Sequence, residues 1–228
     1  PVLREKVSPG TSAKAWASLE ERRAAVVAAA VEADAFAEMD VMALLARFLP
    51  PETPVFVASS TPIRDAEWFW PATARRYRVL ANRGANGIDG TLSTALGIAH
   101  RHRQPAVLVT GDLAFLHDGN GLLLQRQLKG SLTVVLIDNH GGGIFQNLPI
   151  AAYDPPFEEV FATPQHVDWA ALAAAHGVSC TRLEEAAAFV SAVRELPATG
   201  VRLLVVPSDR VATAAERKRR LNLLTANA

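Results

Sequence analysis

The sequence predicts an α/β domain, a doubly wound parallel sheet flanked by helices, and three observations carry that expectation. Two short apolar runs, residues 107–109 and 132–137, read as buried strands, the second rich in β-branched residues. Each stops at polar, turn-forming text: Gly111-Asp112 after the first, and Asp138-Asn139-His140 with Gly141, Gly142 and Gly143 after the second. Between them Leu113, Leu116, Leu122, Leu123, Leu124 and Leu128 recur through a mostly polar background, so the order is strand, turn, helix, parallel strand. Downstream the alternation of β and α text continues to residue 206.

The elements follow in order. Residues 1–12, PVLREKVSPGTS, open without methionine and read as a linker or arm excised from something longer, with the domain over 13–228. Residues 13–38 read as a long alanine-rich helix with Trp16, Leu19, Val26, Val27 and Val31 at helical spacing, followed by a shorter helix over 40–48. Pro50 and Pro51 stop it, and residues 54–58 form the first strand. The aromatics Trp68, Phe69 and Trp70 are expected to pack on the core or on a partner domain. A turn-rich loop over 83–90 leads into a helix from Thr91 to about His100. Past the second strand, 149–164 is an irregular stretch and a candidate lid or substrate wall. Helices over 167–176 and 184–194, an edge strand over 178–181 and a buried strand over 201–206 complete the domain. The run ERKRR at 216–220 is expected to be the solvated face of a terminal helix.

Composition excludes several functions. The chain has 228 residues, 50% of them hydrophobic, enough for a large core. Its 23 basic and 23 acidic residues cancel, so nothing electrostatic suggests nucleic acid or an anionic membrane. No apolar run approaches the roughly 20 residues of a membrane span, and no signal peptide opens the chain. A single cysteine, Cys180, precludes an internal disulfide framework and fits a reducing, cytoplasmic setting. Hydrolase chemistry lacks a nucleophile elbow, and Gly84, Gly87 and Gly90 do not keep the spacing of a dinucleotide fingerprint. The six histidines show no metal-ligand spacing.

What remains is a crevice. Ligands of open parallel sheets bind outside the carboxyl ends of the strands, where Asp112 and Asn139 should face one another. A carboxylate, an amide oxygen and backbone carbonyls of a glycine turn are the hard oxygen ligands that Mg²⁺ or Ca²⁺ takes, and Mg²⁺ with few protein ligands implies a phosphorylated ligand. Gly141 to Gly143 are expected to let backbone approach that ligand. Ser60 could meet an anion at a helix start or simply cap the helix. Arg64 and Arg83 would suit a dicarboxylate, or else form surface ion pairs. His140 could touch substrate or only shape its turn.

Four stretches carry a family resemblance: SSTPIRD from Ser59, NRGANGIDGTLSTALGIA from Asn82, GDLAFLHDGNGLLLQRQ from Gly111 and DNHGGGIFQNLP from Asp138. Together they resemble the carboxyl-terminal cofactor domain of the menaquinone-pathway synthases that make 2-succinyl-5-enolpyruvyl-6-hydroxy-3-cyclohexene-1-carboxylate. The resemblance implies thiamine diphosphate held through Mg²⁺ or Mn²⁺, with Asp112, the Asn139 side chain and the Gly141 backbone as metal shell. It places Ile88, Gly111, Leu113, Gly142 and Ile144 at the cofactor, and Ser60, Arg64, Arg83, Phe145 and Leu148 at the substrate. Asp138 and Gly143 depart from the family pattern, which often has Asn and a polar residue there. The implied reaction is decarboxylation of 2-oxoglutarate and addition of the succinyl carbanion to isochorismate, in menaquinone or phylloquinone biosynthesis. The activating glutamate belongs to a pyrimidine-binding domain that this text lacks, so the fragment alone should be inactive, and the complete enzyme a homodimer or homotetramer. The alternatives are another thiamine diphosphate lyase, similar to acetolactate synthase, and a non-catalytic cofactor-binding module.

Overall fold

The computed structural model describes residues 10–33, 36–85 and 87–226. The chain runs through helices α1 (Thr11–Ala33) and α2 (Asp40–Phe48), strand β1 (Pro54–Val57), helix α3 (Thr61–Phe69), strand β2 (Arg78–Leu80) and helix α4 (Thr91–His102). It continues with strand β3 (Pro105–Gly111), helix α5 (Asp112–His117), strand β4 (Ser131–Asp138), helix α6 (Trp169–Ala175), strand β5 (Ser179–Arg182), helix α7 (Ala186–Arg194), strand β6 (Gly200–Pro207) and helix α8 (Arg210–Ala226). The arm expected at 1–12 falls outside the described residues as far as residue 9, and Thr11 and Ser12 already belong to α1.

All pairings are parallel, in the order β2-β1-β3-β4-β6-β5. Successive strand residues point to opposite faces, and here both faces are covered. Val107, Val109, Val135 and Ile137 pack with Leu45, Ile63 and Phe189 on the side of α2, α3 and α7. Leu108, Val134 and Leu136 pack with Leu96, Phe115 and Trp169 on the side of α4, α5 and α6. Every residue of β4 is buried, which is why its text is a nearly unbroken apolar run rather than an alternation. Of its two buried hydroxyls, Ser131 Oγ donates to the Pro197 carbonyl and Thr133 Oγ1 accepts from Arg202 Nε at 2.9 Å.

The strand order positions the site. From β1 the chain steps outward to β2 and then returns to β3 on the other side of β1. The crevice outside the carboxyl ends of β1 and β3 is therefore a topological switch point, where open sheets of this kind bind ligands.

Several expectations are corrected. Among the described residues the long helix is followed to Ala33, and Glu38 lies in the turn before α2. Trp16 stays 71% exposed, and of the stripe on α1 Val27 is buried. Edge strand β2 was not foreseen, being three residues long with Arg78 and Val79 exposed. The crossover after β3 is not one helix: α5 gives way to a 3₁₀ stretch, Gly119–Gln127. At that joint the Asp118 carboxylate accepts from the backbone N–H of Ser93 at 2.7 Å and from its hydroxyl at 3.0 Å, capping α4 from outside. The irregular stretch 149–164 contains a 3₁₀ turn, Pro149–Ala152, and a π turn, Glu158–Ala162.

The largest correction concerns 216–220. Lys218 and Arg219 are exposed, but Arg217 and Arg220 are buried in α8, at 7% and 2% exposure. Arg217 binds Asp65 and Glu38, and Arg220 binds Asp40 and Glu216. A guanidinium can be buried this way because carboxylates match its fork of donors. Asp65, Glu38 and Asp40 are remote in sequence, so charge pattern alone misplaces Arg217 and Arg220.

Candidate functional site

At the switch point lies a cavity of about 560 Å³. Strand β1 delivers Ser59 and Ser60, the loop after β2 delivers Arg83 and Ile88, the tip of β3 Gly111 and Asp112, and the tip of β4 Asn139. Arg64 of α3, Leu113 of α5, and Gly141, Gly142, Ile144 and Phe145 beyond β4 also line it. Leu148 does not, and is 49% exposed. Ser59, Thr61, Pro62, Gly87 and Ala114 also line the cavity; each lies within two positions of a residue expected there.

Asp112 ties the two central strand tips together. It is buried, one carboxylate oxygen accepting from the N–H of Leu113 at 2.7 Å and the other from the N–H of Gly141 at 2.8 Å. Burial pushes its carboxyl above the ordinary aspartate range, and Asp138 adds to that, while the Gly141 and Leu113 amides and His140 work the other way. A carboxylate in such a place is one whose charged form a bound cation would stabilise. Across from it, Asn139 is 5% exposed; its Nδ2 donates to Glu38 Oε2 at 3.2 Å, while its Oδ1 is buried with no partner.

An unsatisfied buried acceptor calls for an explanation, and a ligand cation supplies one. Among the described residues no three His, Cys, Asp or Glu side chains surround a metal position. The available donors are one carboxylate, one amide oxygen and backbone carbonyls. That set fits Mg²⁺ or Mn²⁺ completing its shell with water and phosphate oxygens.

The glycines line the cavity and also make room for the protein itself. At Gly141, φ is +124°, and a Cβ there would stand 2.2 Å from the carbonyl oxygen of Ala162. A Cβ on Gly142 would meet the Phe161 oxygen at 2.6 Å and the Phe145 ring at 2.7 Å, and one on Gly143 would meet Asn139 Nδ2 at 2.7 Å. The missing side chains make room for the protein itself, so the loop packs against the 158–162 turn and around the Asn139 amide. Gly142 N–H seals this contact by donating to the Ala162 carbonyl at 2.7 Å.

Ser60 makes no capping bond, and its φ of +76° is in the left-handed region that favours glycine. Such backbone strain, about 1–3 kcal/mol, concentrates at functional sites. Arg64 Nη1 donates to the Ser60 carbonyl at 2.7 Å and Arg83 makes no ion pair among the described residues, so neither is neutralised by a carboxylate there. His140 is absent from the cavity wall; its Nδ1 lies 3.6 Å from Asp138, and its carbonyl accepts from Arg210 at 2.7 Å. Cys180 sits in edge strand β5, away from the cavity. No helix among the described residues is long and apolar enough to cross a membrane.

Fold and cavity together place the chain in the class of doubly wound α/β domains that hold a ligand where parallel strands end. Comparison with known proteins narrows the class. Residues 66–206 match the family described as "Thiamine pyrophosphate enzyme, C-terminal TPP binding domain", and the chain belongs to that family. It is 59% identical over 174 residues to a 2-succinyl-5-enolpyruvyl-6-hydroxy-3-cyclohexene-1-carboxylate synthase of Synechococcus sp. (strain JA-3-3Ab), covering 76% of this chain and 29% of that protein. It is 48% identical over 215 residues to the synthase of that name from Thermosynechococcus vestitus, covering 94% of this chain and 38% of the relative. The chain thus spans about a third of the length of the curated relatives it matches. The crystal structure of benzoylformate decarboxylase from Polynucleobacter necessarius shares the fold, with a TM-score of 0.58 at 18% identity over 76% of this chain and 33% of that one.

Proposed function

We propose that residues 13–228 form the cofactor domain of a thiamine diphosphate-dependent synthase that decarboxylates 2-oxoglutarate and adds the four-carbon unit to isochorismate. The observation that carries this reading is the buried, unpartnered Oδ1 of Asn139 in the cavity that Asp112 also lines. Asp112, Asn139 and the Gly141 carbonyl would hold Mg²⁺ or Mn²⁺, and through it the diphosphate. When bound, thiamine diphosphate supplies a carbon nucleophile and a sink for the electron pair released with CO₂. The chain's own residues then bind and orient. Ile88, Leu113 and Ile144 give the cofactor an apolar wall that excludes water, and Gly111 and Gly142 lie beside it. Arg64 and Arg83, with Ser60, would clamp the carboxylates of the two substrates, and Phe145 closes the wall next to them. A pocket for pyruvate alone, as in an acetolactate synthase relative, has less use for two such cations.

In this reading the activating glutamate comes from a pyrimidine-binding domain of the same or a neighbouring subunit, and the working enzyme is a cytoplasmic homo-oligomer making menaquinone or phylloquinone precursor. The test is Arg64→Ala and Arg83→Ala in the complete enzyme. Losing a charge-assisted hydrogen bond, worth about 1.5–3 kcal/mol, should raise KM for 2-oxoglutarate or isochorismate roughly 10- to 100-fold and leave thiamine diphosphate affinity nearly unchanged. Equal small effects on all three ligands would overturn the substrate assignment.

A further inference from the structure

Asn139 can present either end of its amide to the cavity, and only the oxygen end can ligate a cation. What decides the choice lies behind it. Glu38, 101 residues away in sequence, is 3% exposed and accepts the Asn139 Nδ2 bond at 3.2 Å. A carboxylate only accepts hydrogen bonds, so the amide must turn its NH₂ toward Glu38 and its oxygen toward the cavity. Glu38 is itself fixed: its other oxygen accepts from Arg217 Nη2, and Arg217 reaches on to Asp65 with Nε–Oδ1 at 2.8 Å and Nη2–Oδ2 at 2.9 Å. Gly143 leaves the space that the NH₂ occupies, since a Cβ there would stand 2.7 Å from it.

We infer that Glu38, locked by Arg217 and Asp65, is a positioning residue that sets the Asn139 amide with Oδ1 toward the cation. The inference rests on the metal site proposed above and deepens it. Residues that hydrogen-bond metal ligands orient them, and their loss typically lowers metal affinity by about 10- to 100-fold. The same chain of contacts joins Asn139 to α3, the helix that carries Arg64, through Asp65, so cation and substrate subsites share one buried support.

The test is Mn²⁺ binding, followed by loss of the free-ion EPR signal in the presence of thiamine diphosphate, in the intact natural protein. In Glu38→Gln the new amide keeps one oxygen for Arg217, turns its NH₂ toward Asn139 and rotates Oδ1 away from the cavity; Mn²⁺ affinity should fall about 10- to 100-fold. In Asn139→Asp two buried carboxylates oppose one another, and affinity should fall as well. The double variant Glu38→Gln, Asn139→Asp should recover most of the loss, because the glutamine NH₂ donates to one aspartate oxygen and the other faces the cation. A purely structural role for Glu38 gives no such rescue. Should Asn139→Asp fail to fold alone, Glu38→Gln against the double variant decides. Full affinity in Glu38→Gln, or no recovery in the double variant, overturns the inference while leaving the metal site standing. Absence of Mn²⁺ binding in the unaltered protein overturns the metal site and this inference with it.

Discussion

The carboxyl ends of β3 and β4 and the buried face of α8 hold similar chemistry, carboxylates and their partners out of water, yet they are built oppositely. In the first, Asp112 is held by backbone N–H groups and Asn139 keeps an acceptor with no partner. In the second, Arg217 and Arg220 are gripped by Asp65, Glu38, Asp40 and Glu216. In the proposed reading the open valence is the place for a ligand, and the closed one is support. Glu38 belongs to both, which is how the support reaches the site.

The sharpest way to break that contrast is Arg217→Met. If the α8 network is support, removing its central cation leaves Glu38 and Asp65 buried without their partner and should cost about 3–5 kcal/mol in a denaturant titration. A loss under 1 kcal/mol would mean the ion pairs are not what holds α8 down.

A smaller effect is expected in the pH dependence. Burial raises the Asp65 carboxyl to about 6, with Glu38 on the shared guanidinium adding to the rise and Arg217 opposing it. Arg217, despite the burial that works to lower its pKa, is held further up in its charged form by Asp65 and Glu38. Because the folded state keeps the Asp65 proton longer than the unfolded chain, the associated stability is fully present below the ordinary value of 3.8 and lost as pH rises through about 6. Unfolding free energy should therefore decline between pH 4 and 6 along a slope that Asp65→Asn flattens; an identical slope in the variant would contradict this. The smallest effect belongs to Arg219, two positions from Arg217 but half exposed and paired with Glu216. Arg219→Ala should cost no more than about 1 kcal/mol.

The same contrast explains what the sequence revealed. Asp112, Asn139 and the three glycines each follow a strand directly, so period, strand end and turn chemistry read in one line of text already place them at one edge of a parallel sheet. The buried ion pairs that tie α8 to Asp65, Glu38 and Asp40 are 152, 179 and 180 residues apart, and no local pattern distinguishes Arg217 or Arg220 from a solvated charge. The glycine loop stands between these cases: its need for glycine was legible, but the atoms that impose it, at Ala162 and Phe161, come from a stretch with no regular period. Strand β2 was missed because three residues, two of them exposed, are too short a run to show a period.

The central claim is that the tips of β3 and β4 jointly hold a cation and, through it, a diphosphate. The most direct measurement is thiamine diphosphate titration of the intact protein with and without Mg²⁺, beside Asp112→Ala. Saturable binding that requires Mg²⁺ and disappears in the variant is the predicted result; an unchanged titration curve in Asp112→Ala would contradict the account.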